Sequence, residues 1–267
     1  MCNTCGCNIT PGNRPLLLAE KPKAGLTTIS VLKNLLAQND HQAEHNRAHF
    51  DHAGVLAINL MSAPGSGKTA LLEATIKHLR GTLNIAVIEG DLETENDAER
   101  IRQQGVPAYQ ITTGTACHLD AHLIHNALPH LPLAGLDLVF IENVGNLVCP
   151  ASFDLGQHCN VVLLSVTEGD DKPAKYPVMF RAADLVVISK TDLLPYLGDF
   201  SIAKAENNQH QLASNADIIS LSAQHGTGMD AWISWLQTQL DMYKQQRQQN
   251  QTLRPKVQTA TRFLAVK

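Results

Sequence analysis

After residue 55 the chain alternates short apolar runs with stretches in which apolar residues follow helical spacing. The apolar runs are rich in valine, isoleucine and leucine, and their length predicts buried strands. After a first strand that reaches Met61, strands are predicted over 84–88, 108–111, 136–141, 161–166, 185–188 and 218–221. Helices are predicted over 97–104, 119–128 and 229–245, and a further helix over 26–50 precedes the first strand.

Strands that alternate with helices indicate a mostly parallel sheet flanked by helices on both faces. In α/β folds of this class, ligands bind at the carboxyl ends of the strands. Residues that directly follow a predicted strand are therefore the first candidates for chemistry.

The first strand leads into a glycine-rich turn and the start of a helix. Residues 62–69 read Ser-Ala-Pro-Gly-Ser-Gly-Lys-Thr, which is the phosphate-loop pattern with serine at its first position. The glycines let the backbone close around a phosphate, and the N–H groups and helix N-terminus attract it. Lys68 is expected at the outer phosphates and the Thr69 hydroxyl on Mg²⁺. The predicted nucleotide-binding residues of this loop are Gly65, Ser66, Gly67, Lys68, Thr69 and Ala70.

Two carboxylates follow strands at the same edge of the predicted sheet. Asp91 follows the second strand and is a candidate for Mg²⁺, with a turn or helix-capping aspartate as the alternative. Glu142 follows the strand over 136–141 and can hold the water shell of Mg²⁺, and Gly145 lets the backbone approach the γ-phosphate. Thr69, Asp91 and Glu142 are thus the predicted Mg²⁺ site, and together with Lys68 they are the predicted catalytic residues.

A base-recognition segment follows the strand over 185–188. The Asp192 carboxylate can accept hydrogen bonds from N1–H and the 2-amino group of guanine; adenine offers neither, so GTP is favoured over ATP. The Lys190 stem can lie over the base, and Ser222 and Ala223 are placed to offer a backbone N–H to guanine O6. The usual guanine motif has asparagine where Ser189 stands, which predicts a lost contact to guanine N7 or weaker support of the phosphate loop.

Two groups of thiols suggest metal binding. Cys2, Cys5 and Cys7 can wrap one soft ion, and three thiolates with the terminal amine in a plane would suit Ni²⁺. A frayed terminus or a redox pair is the alternative.

The second group is Cys117 and His118 at a helix start, with Cys149 a few residues beyond Gly145. Two thiols and an imidazole can bind Zn²⁺ or Ni²⁺ with one position open, while a buried cysteine beside a helix-end histidine is the plain alternative. A metal at this place would respond to movement of the γ-phosphate loop. Cys159 is predicted to lie in the core.

The helix over 26–50 carries a histidine series. His41, His45 and His49 recur every four residues and so share a face. They could hold a metal, but the polar residues between them favour a solvated face; these include Glu44, Asn46 and Arg47. The later histidines His122 and His125 are likewise predicted to be solvated.

Overall composition narrows the function classes. The 267 residues carry a net charge of −4, so no positive field suggests nucleic acid or an anionic membrane. There is no apolar run near the roughly 18 residues that a membrane span needs, and no secretion signal at the N-terminus. Six cysteines, three of them within the first seven residues, suit a reducing compartment and metal binding, which predicts a cytoplasmic protein.

Taken together, these residues resemble the HypB family, the GTPases that assist nickel insertion into nickel-iron hydrogenase. The matching stretches are residues 62–69, 141–150 (Ile-Glu-Asn-Val-Gly-Asn-Leu-Val-Cys-Pro) and 165–173 (Ser-Val-Thr-Glu-Gly-Asp-Asp-Lys-Pro). The Cys-Asn-Thr-Cys-Gly-Cys segment at 2–7 is similar to the family's N-terminal nickel motif. The resemblance covers nearly all of the chain except the tether after this motif and the last twenty or so residues.

The resemblance implies a P-loop NTPase with a G domain of the SIMIBI type and a flexible metal-binding N-terminus. It implies a tight nickel site formed by Cys2, Cys5 and Cys7. It also implies a second site, for zinc or nickel, at a GTP-dependent dimer interface; this site is formed by Cys117, His118 and Cys149. It also implies a homodimer that forms on GTP or metal binding. Nickel would be handed on together with a HypA-type nickel chaperone and the hydrogenase large subunit. The chain then divides into a cysteine-rich motif and tether over 1–24, a P-loop GTPase domain over 25–246 and a disordered tail over 247–267.

Three alternatives stay open at this stage. The chain could be a nickel buffer with a vestigial nucleotide site, although the complete set of phosphate and Mg²⁺ residues argues against it. It could be a urease-type nickel GTPase, against which the two cysteine groups argue. An ATP-dependent relative is the third, and Asp192 is the residue that decides it.

Overall fold

The computed structural model describes residues 28–91, 95–114, 116–212, 214 and 216–256. Within them a parallel sheet is formed by β1 Leu56–Ser62, β2 Ile85–Asp91, β3 Ala108–Thr112, β4 Leu138–Glu142, β5 Cys159–Ser165, β6 Leu185–Ser189 and β7 Asp217–Ser220. The strand order is β3-β2-β4-β1-β5-β6-β7, and every pairing is parallel. The predicted fold class is confirmed, with a sheet that is wholly parallel among the described residues.

Helices cover both faces of this sheet. They are α1 Thr28–Ala53, α2 Lys68–Leu79, α3 Asn96–Gln103, α4 Ala121–Ala127, α5 Lys172–Lys175, α6 Pro177–Arg181, α7 Ile202–His210 and α8 Met229–Gln248. Short 3₁₀ segments lie at Leu128–His130, Pro150–Ser152 and Thr191–Tyr196. One buried cluster joins the central strands to α2 and α8, and a second joins the opposite face to α1 and α4. Because the central strands are buried on both faces, they read in the sequence as continuous apolar runs.

The sheet places the predicted site residues at one edge. The phosphate loop follows β1, and the segments after β2, β4, β5 and β6 emerge at the carboxyl ends of neighbouring strands. This is the crevice in which α/β proteins bind their ligands.

The first helix corrects one sequence prediction. The face carrying Asn46 and Arg47 is buried rather than solvated. The Arg47 guanidinium donates to the Asp154 carboxylate at 2.6 Å and also to the Gln157 carbonyl. The Asn46 amide donates to the Ala121 carbonyl at 2.7 Å. These polar residues bind α1 to the domain, whereas His41, His45 and His49 are exposed as predicted.

The C-terminal segment corrects a second sequence prediction. The prediction of a disordered tail is wrong for residues 247–256, because α8 continues to Gln248 and the chain then packs back on the domain. Leu253 is buried in the core, and the Arg254 guanidinium pairs with Glu44 of α1 at 2.6 Å. The Lys256 N–H donates to the Asp184 carboxylate at 2.8 Å. Residues 257–267 lie outside the described residues, as do the motif and tether over 1–24.

No described helix has both the length and the apolar character that crossing a membrane requires.

Candidate nucleotide and metal site

The phosphate loop has the backbone conformation that its glycines predict. Gly65 and Gly67 have φ of 74° and 96°, the left-handed region in which a side chain would be strained. Gly67 directly precedes α2, so the N–H groups of the first helical turn point out of the helix toward the loop. This arrangement forms a cradle for an anionic phosphate.

The lysine of the loop is already oriented. Lys68 is buried, and its ammonium donates to the Ser62 hydroxyl at 3.2 Å and lies 3.8 Å from the Glu142 carboxylate. Ser62 occupies the position where the phosphate-loop pattern has glycine. Its hydroxyl serves as an acceptor for the lysine, which explains how serine is accommodated there.

The predicted Mg²⁺ residues are partly brought together. The Thr69 hydroxyl donates to the Glu142 carboxylate at 3.0 Å, and the second oxygen of Glu142 is buried without a hydrogen-bond partner among the described residues. Strand β2 lies beside β4, and Glu89 of β2 is paired with Glu142 of β4. Asp91 is the last residue of β2, two residues beyond Glu89. Hydroxyl and carboxylate oxygens are the donors that Mg²⁺ takes from proteins, and the unpartnered oxygen of Glu142 fits its water shell.

Glu89 is a site residue that the sequence analysis missed. It is buried on the central strand β2. Burial, and then the charge of Glu142, raise the pKa of Glu89 well above its usual value, and its carboxyl donates a hydrogen bond to Glu142. Burial also raises the pKa of Glu142, while Lys68 opposes the rise. The raised pKa of Glu89 favours its protonated form beside the Glu142 carboxylate. A charged residue inside an apolar strand is a signal that would have pointed to it.

The base-recognition segment supports the phosphate loop. The Ser189 hydroxyl donates to the Ser66 carbonyl at 2.7 Å, and the Lys190 ammonium donates to the Gly65 carbonyl at 2.7 Å. Of the two losses expected at Ser189, the loss of phosphate-loop support is not observed, because the hydroxyl reaches the loop backbone. The lost contact to guanine N7 stays a prediction.

The Asp192 carboxylate lies beside the loop after β7. It accepts a hydrogen bond of 2.6 Å from the Ser222 hydroxyl. The Ser222 N–H donates to the Thr227 carbonyl at 2.9 Å, so it is engaged within its own loop. The predicted contact to guanine O6 therefore rests with the N–H of Ala223, the next residue.

Glu168 is a second residue whose role was missed. Its carboxylate accepts hydrogen bonds from the Ser66 hydroxyl at 2.6 Å and from the Ser165 N–H at 3.0 Å. It follows β5 at the same edge of the sheet as the other site residues. The rule that chemistry follows strand ends would have found it.

The segment over 143–149, here called the coupling loop, lies against the phosphate loop. A Cβ on Gly145 would come within 2.8 Å of the Pro64 Cα, so glycine is required at this position. The Asn146 N–H donates to the Ser62 carbonyl at 2.8 Å.

The other side of the coupling loop contacts residues 117–119. The Asn146 amide donates to the Cys117 carbonyl at 3.3 Å. The Asn143 amide oxygen accepts from the Leu119 N–H at 3.2 Å. The loop thus touches the phosphate loop and the Cys117 segment through short, directional contacts.

Cys117, His118 and Cys149 form a compact donor group. Their ligand atoms lie within 4.8 Å of one another. The Cys117 sulfur is 3.2 Å from the Cys149 sulfur and 3.8 Å from Nδ1 of His118, and both cysteines are reduced thiols. Two soft sulfur donors and an imidazole suit Zn²⁺ or Ni²⁺ and leave one coordination position open. The structure therefore brings the predicted trio together.

The imidazole of this trio is held neutral. His118 is buried and stacks on Phe153 with ring centroids 4.1 Å apart. Burial lowers the pKa of His118 to about 4. A neutral imidazole is the form that binds a metal, so at neutral pH no proton has to leave it.

The chain is similar to known proteins in both sequence and structure. Residues 56–220 match the family model for the CobW/HypB/UreG nucleotide-binding domain. The hydrogenase maturation factor HypB of Escherichia coli is 53% identical over 211 residues, which cover 79% of this chain and 72% of that protein. The hydrogenase/urease maturation factor HypB of Helicobacter hepaticus is 47% identical over 209 residues, covering 77% and 85% of the two chains. The crystal structure of HypB from Helicobacter pylori in complex with nickel has a TM-score of 0.73 at 38% identity, covering 83% and 99%.

We predict that metal-free protein loses stability on acidification through His118. Its pKa is about 4 in the folded chain against 6.5 ordinarily, so unfolding takes up a proton between these values. This contribution is fully present above pH 6.5 and is lost as the pH falls toward 4; it amounts to about 3 kcal/mol in full, most of it lost between pH 7.5 and 4.5. Urea unfolding at pH 7.5 and 4.5, with chelator and reductant, would measure it.

His118→Gln removes the titrating group, so its unfolding free energy should fall less over the same interval. His78→Gln, at an exposed histidine of α2, is the matched control and should follow the wild type. Parallel pH profiles for the wild type and His118→Gln would contradict the assignment.

Proposed function

The chain belongs to the HypB branch of the CobW/HypB/UreG family, and from this membership we propose that it is a metal-regulated GTPase of hydrogenase maturation. It hydrolyses GTP to GDP, binds nickel and delivers it to the hydrogenase large subunit. The single observation that carries the proposal is the coupling loop, which contacts the phosphate loop at Ser62 and Pro64 and the metal trio at Cys117.

The chemistry follows from charge placement. The oxygens of Thr69, Glu142 and Asp91 would hold a Mg²⁺ ion, which would supply positive charge to offset the negative charge that develops in hydrolysis. Lys68 can exchange its contact with the Ser62 hydroxyl for the outer phosphates, bringing a buried positive charge to the transferred group. Thr69, Glu142 and Asp91 supply oxygen ligands or hold the metal's water shell. We name no general base, because a slow switch needs only correctly placed charge.

Nucleotide state would reach the metal through the coupling loop. A γ-phosphate in the cradle would meet this loop at Gly145, and its loss would let the loop relax. Since Asn146 bonds to both Ser62 and Cys117, a shift there changes the distance between Cys117 and Cys149. The metal affinity of the trio would then differ between the GTP and GDP states.

The partners follow from the same site. Cys117 and Cys149 are only half-buried, and the neighbouring Val148 is an apolar side chain that is 54% exposed. A second copy of the chain placed here would bury Val148 and could fill the open coordination position. We therefore propose a homodimer formed on GTP or metal binding. A HypA-type chaperone and the hydrogenase large subunit are the proposed exchange partners, in the cytoplasm.

One observation favours a second recipient for the nickel. A relative from Helicobacter hepaticus, 47% identical, bears the name hydrogenase/urease maturation factor. Urease is therefore the second candidate. The N-terminal site of Cys2, Cys5 and Cys7 is proposed as the tight nickel site for either recipient, and Zn²⁺ or Ni²⁺ for the trio.

Lys68→Ala should lower GTP hydrolysis at least 100-fold, because the positive charge on the transferred phosphate is lost. Nickel bound at the cysteine sites should be unchanged. Phosphate release and metal analysis on the same preparation would test both. Lys77→Ala, at an exposed lysine of α2, is the matched control.

Full GTPase activity in Lys68→Ala would refute the assignment of Lys68 and its loop as the catalytic site. Equal nickel delivery with GTP and with a non-hydrolysable analogue would favour the nickel buffer. In cells, a Lys68→Ala strain that loses urease but keeps hydrogenase activity would identify urease as the recipient.

Asp192→Ala should weaken GTP binding about 100-fold while ATP binding stays at its low wild-type level, since only guanine donates to this carboxylate. Competition between GTP and ATP against a fluorescent GDP measures the preference. Asp199→Ala, at an exposed aspartate outside the site, should behave as wild type. An unchanged GTP-to-ATP ratio in Asp192→Ala would favour the ATP-dependent alternative.

Asn146→Ala should abolish the coupling between the nucleotide site and the metal trio while leaving both sites able to bind. The variant loses the amide contact to the Cys117 carbonyl but keeps the backbone contact to Ser62. We expect nickel and GTP each to bind within about three-fold of wild type. The change in metal affinity caused by a GTP analogue, about 5-fold or more in wild type, should largely disappear.

Metal titrations with and without the analogue would measure this coupling. Asn126→Ala, at an exposed asparagine of α4, is the control and should retain it. If wild type shows no coupling, or if Asn146→Ala keeps all of it, the proposed route is wrong.

A further inference from the structure

Five histidines meet at the seam between α1 and α4. We call them the histidine patch: His41, His45 and His49 from α1, and His122 and His125 from α4. The two helices are fixed to each other at Ala121, whose N–H donates to the Asn39 side chain at 2.9 Å and whose carbonyl accepts from Asn46 at 2.7 Å. The patch is thus held on a rigid platform.

The imidazoles are close both along and across the helices. The rings of His41 and His45 lie with centroids 4.7 Å apart, and those of His49 and His125 lie 5.8 Å apart. His122 and His41 line the same surface recess, together with Ala37, Gln38 and Gln42. Nε2 of His122 is buried and has no hydrogen-bond partner among the described residues. A buried polar atom normally has a partner. This ring nitrogen lies beside further imidazoles, and its lone pair could bind a metal ion.

The chemistry of the patch is that of a nitrogen-only metal site. Histidines four residues apart on a helix can hold one ion between them, and imidazole prefers borderline d-block ions such as Ni²⁺, Cu²⁺ and Zn²⁺. His41, His45 and His49 are exposed, so their rings can turn to bring nitrogens to the roughly 2.1 Å of a metal bond. Partial burial and the neighbouring His49, His122 and His45 lower the pKa of His125, which favours the neutral ligand form.

We propose that the histidine patch is an additional binding site for a borderline divalent metal ion, distinct from the cysteine sites. Its ligands are imidazoles and water, so it binds more weakly than a thiolate site and needs no nucleotide. An ion here sits on the helix that begins just after Cys117 and His118. The alternative is a set of separately solvated imidazoles.

Ni²⁺ titration of the full chain without nucleotide tests the site. Ni²⁺ with imidazole and water ligands is six-coordinate and paramagnetic, whereas square-planar thiolate Ni²⁺ is diamagnetic. After the thiolate sites fill, NMR signals of the patch imidazoles should broaden before those of His78 and His210, exposed histidines elsewhere. Equilibrium dialysis should show one further Ni²⁺ per chain.

His45→Gln/His49→Gln should weaken this last Ni²⁺ at least 10-fold, because each of the two ring contacts, His41–His45 and His49–His125, loses a member. The matched control His78→Gln/His210→Gln should bind as wild type. Equal binding by the two double variants would overturn the proposal, as would equal broadening of patch and control histidines. The NMR line-broadening experiment is done on wild-type protein, so its result does not depend on whether a variant folds. Neither measurement involves GTP, so failure of the proposed GTPase would not be mistaken for failure of this site.

Discussion

The structure of the site depends on one close approach, that of the coupling loop to the phosphate loop. No side chain fits at Gly145, because a Cβ would stand 2.8 Å from the Pro64 Cα, and the Asn146 N–H is spent on the Ser62 carbonyl. Packed backbones of this kind cannot adjust gradually; they shift between discrete arrangements. The same loop ends in Cys149, whose sulfur belongs to the metal trio. In the proposed function, a change in the phosphate cradle would therefore reach a sulfur ligand through the few contacts of the coupling loop.

Around this contact the chain buries charge that it does not fully balance. Glu89 and Glu142 face each other on adjacent strands, and Lys68 is the cation beside them. A proton on Glu89 relieves the repulsion, yet one oxygen of each carboxyl still lacks a partner among the described residues. Such groups cost stability unless a ligand satisfies them. The site is thus organised for a cation and its waters before either arrives, which is the preorganisation that phosphoryl transfer requires.

The sequence was sufficient for the fold and for much of the site because both depend on local pattern. Strand periodicity predicted the parallel sheet, and the glycines and Lys68 predicted the phosphate loop. Residues that act through distant partners were harder to predict. Ser189 was expected to lose either a contact to guanine N7 or support of the phosphate loop, and only the fold shows its hydroxyl on the Ser66 carbonyl. Arg47 looked like a surface residue until Asp154, far along the chain, was found beside it. Glu89 was missed because its importance comes from strand register with Glu142, which pattern alone does not supply.

The two histidine environments imply an order of metal occupancy. His118 is buried, neutral at physiological pH and set beside two sulfurs, so metal binding there has to remove neither water nor a proton from the imidazole. The patch histidines are mostly exposed to water, which a metal ion must displace from their nitrogens. At equal free metal the trio should therefore fill first and release last, while the patch exchanges quickly. Because α4 begins three residues after His118 and carries His122 and His125, a fast-exchanging ion would be kept next to the slow site. The two sulfur donors and the buried imidazole of the trio, against the hydrated imidazoles of the patch, set the direction in which an ion would move.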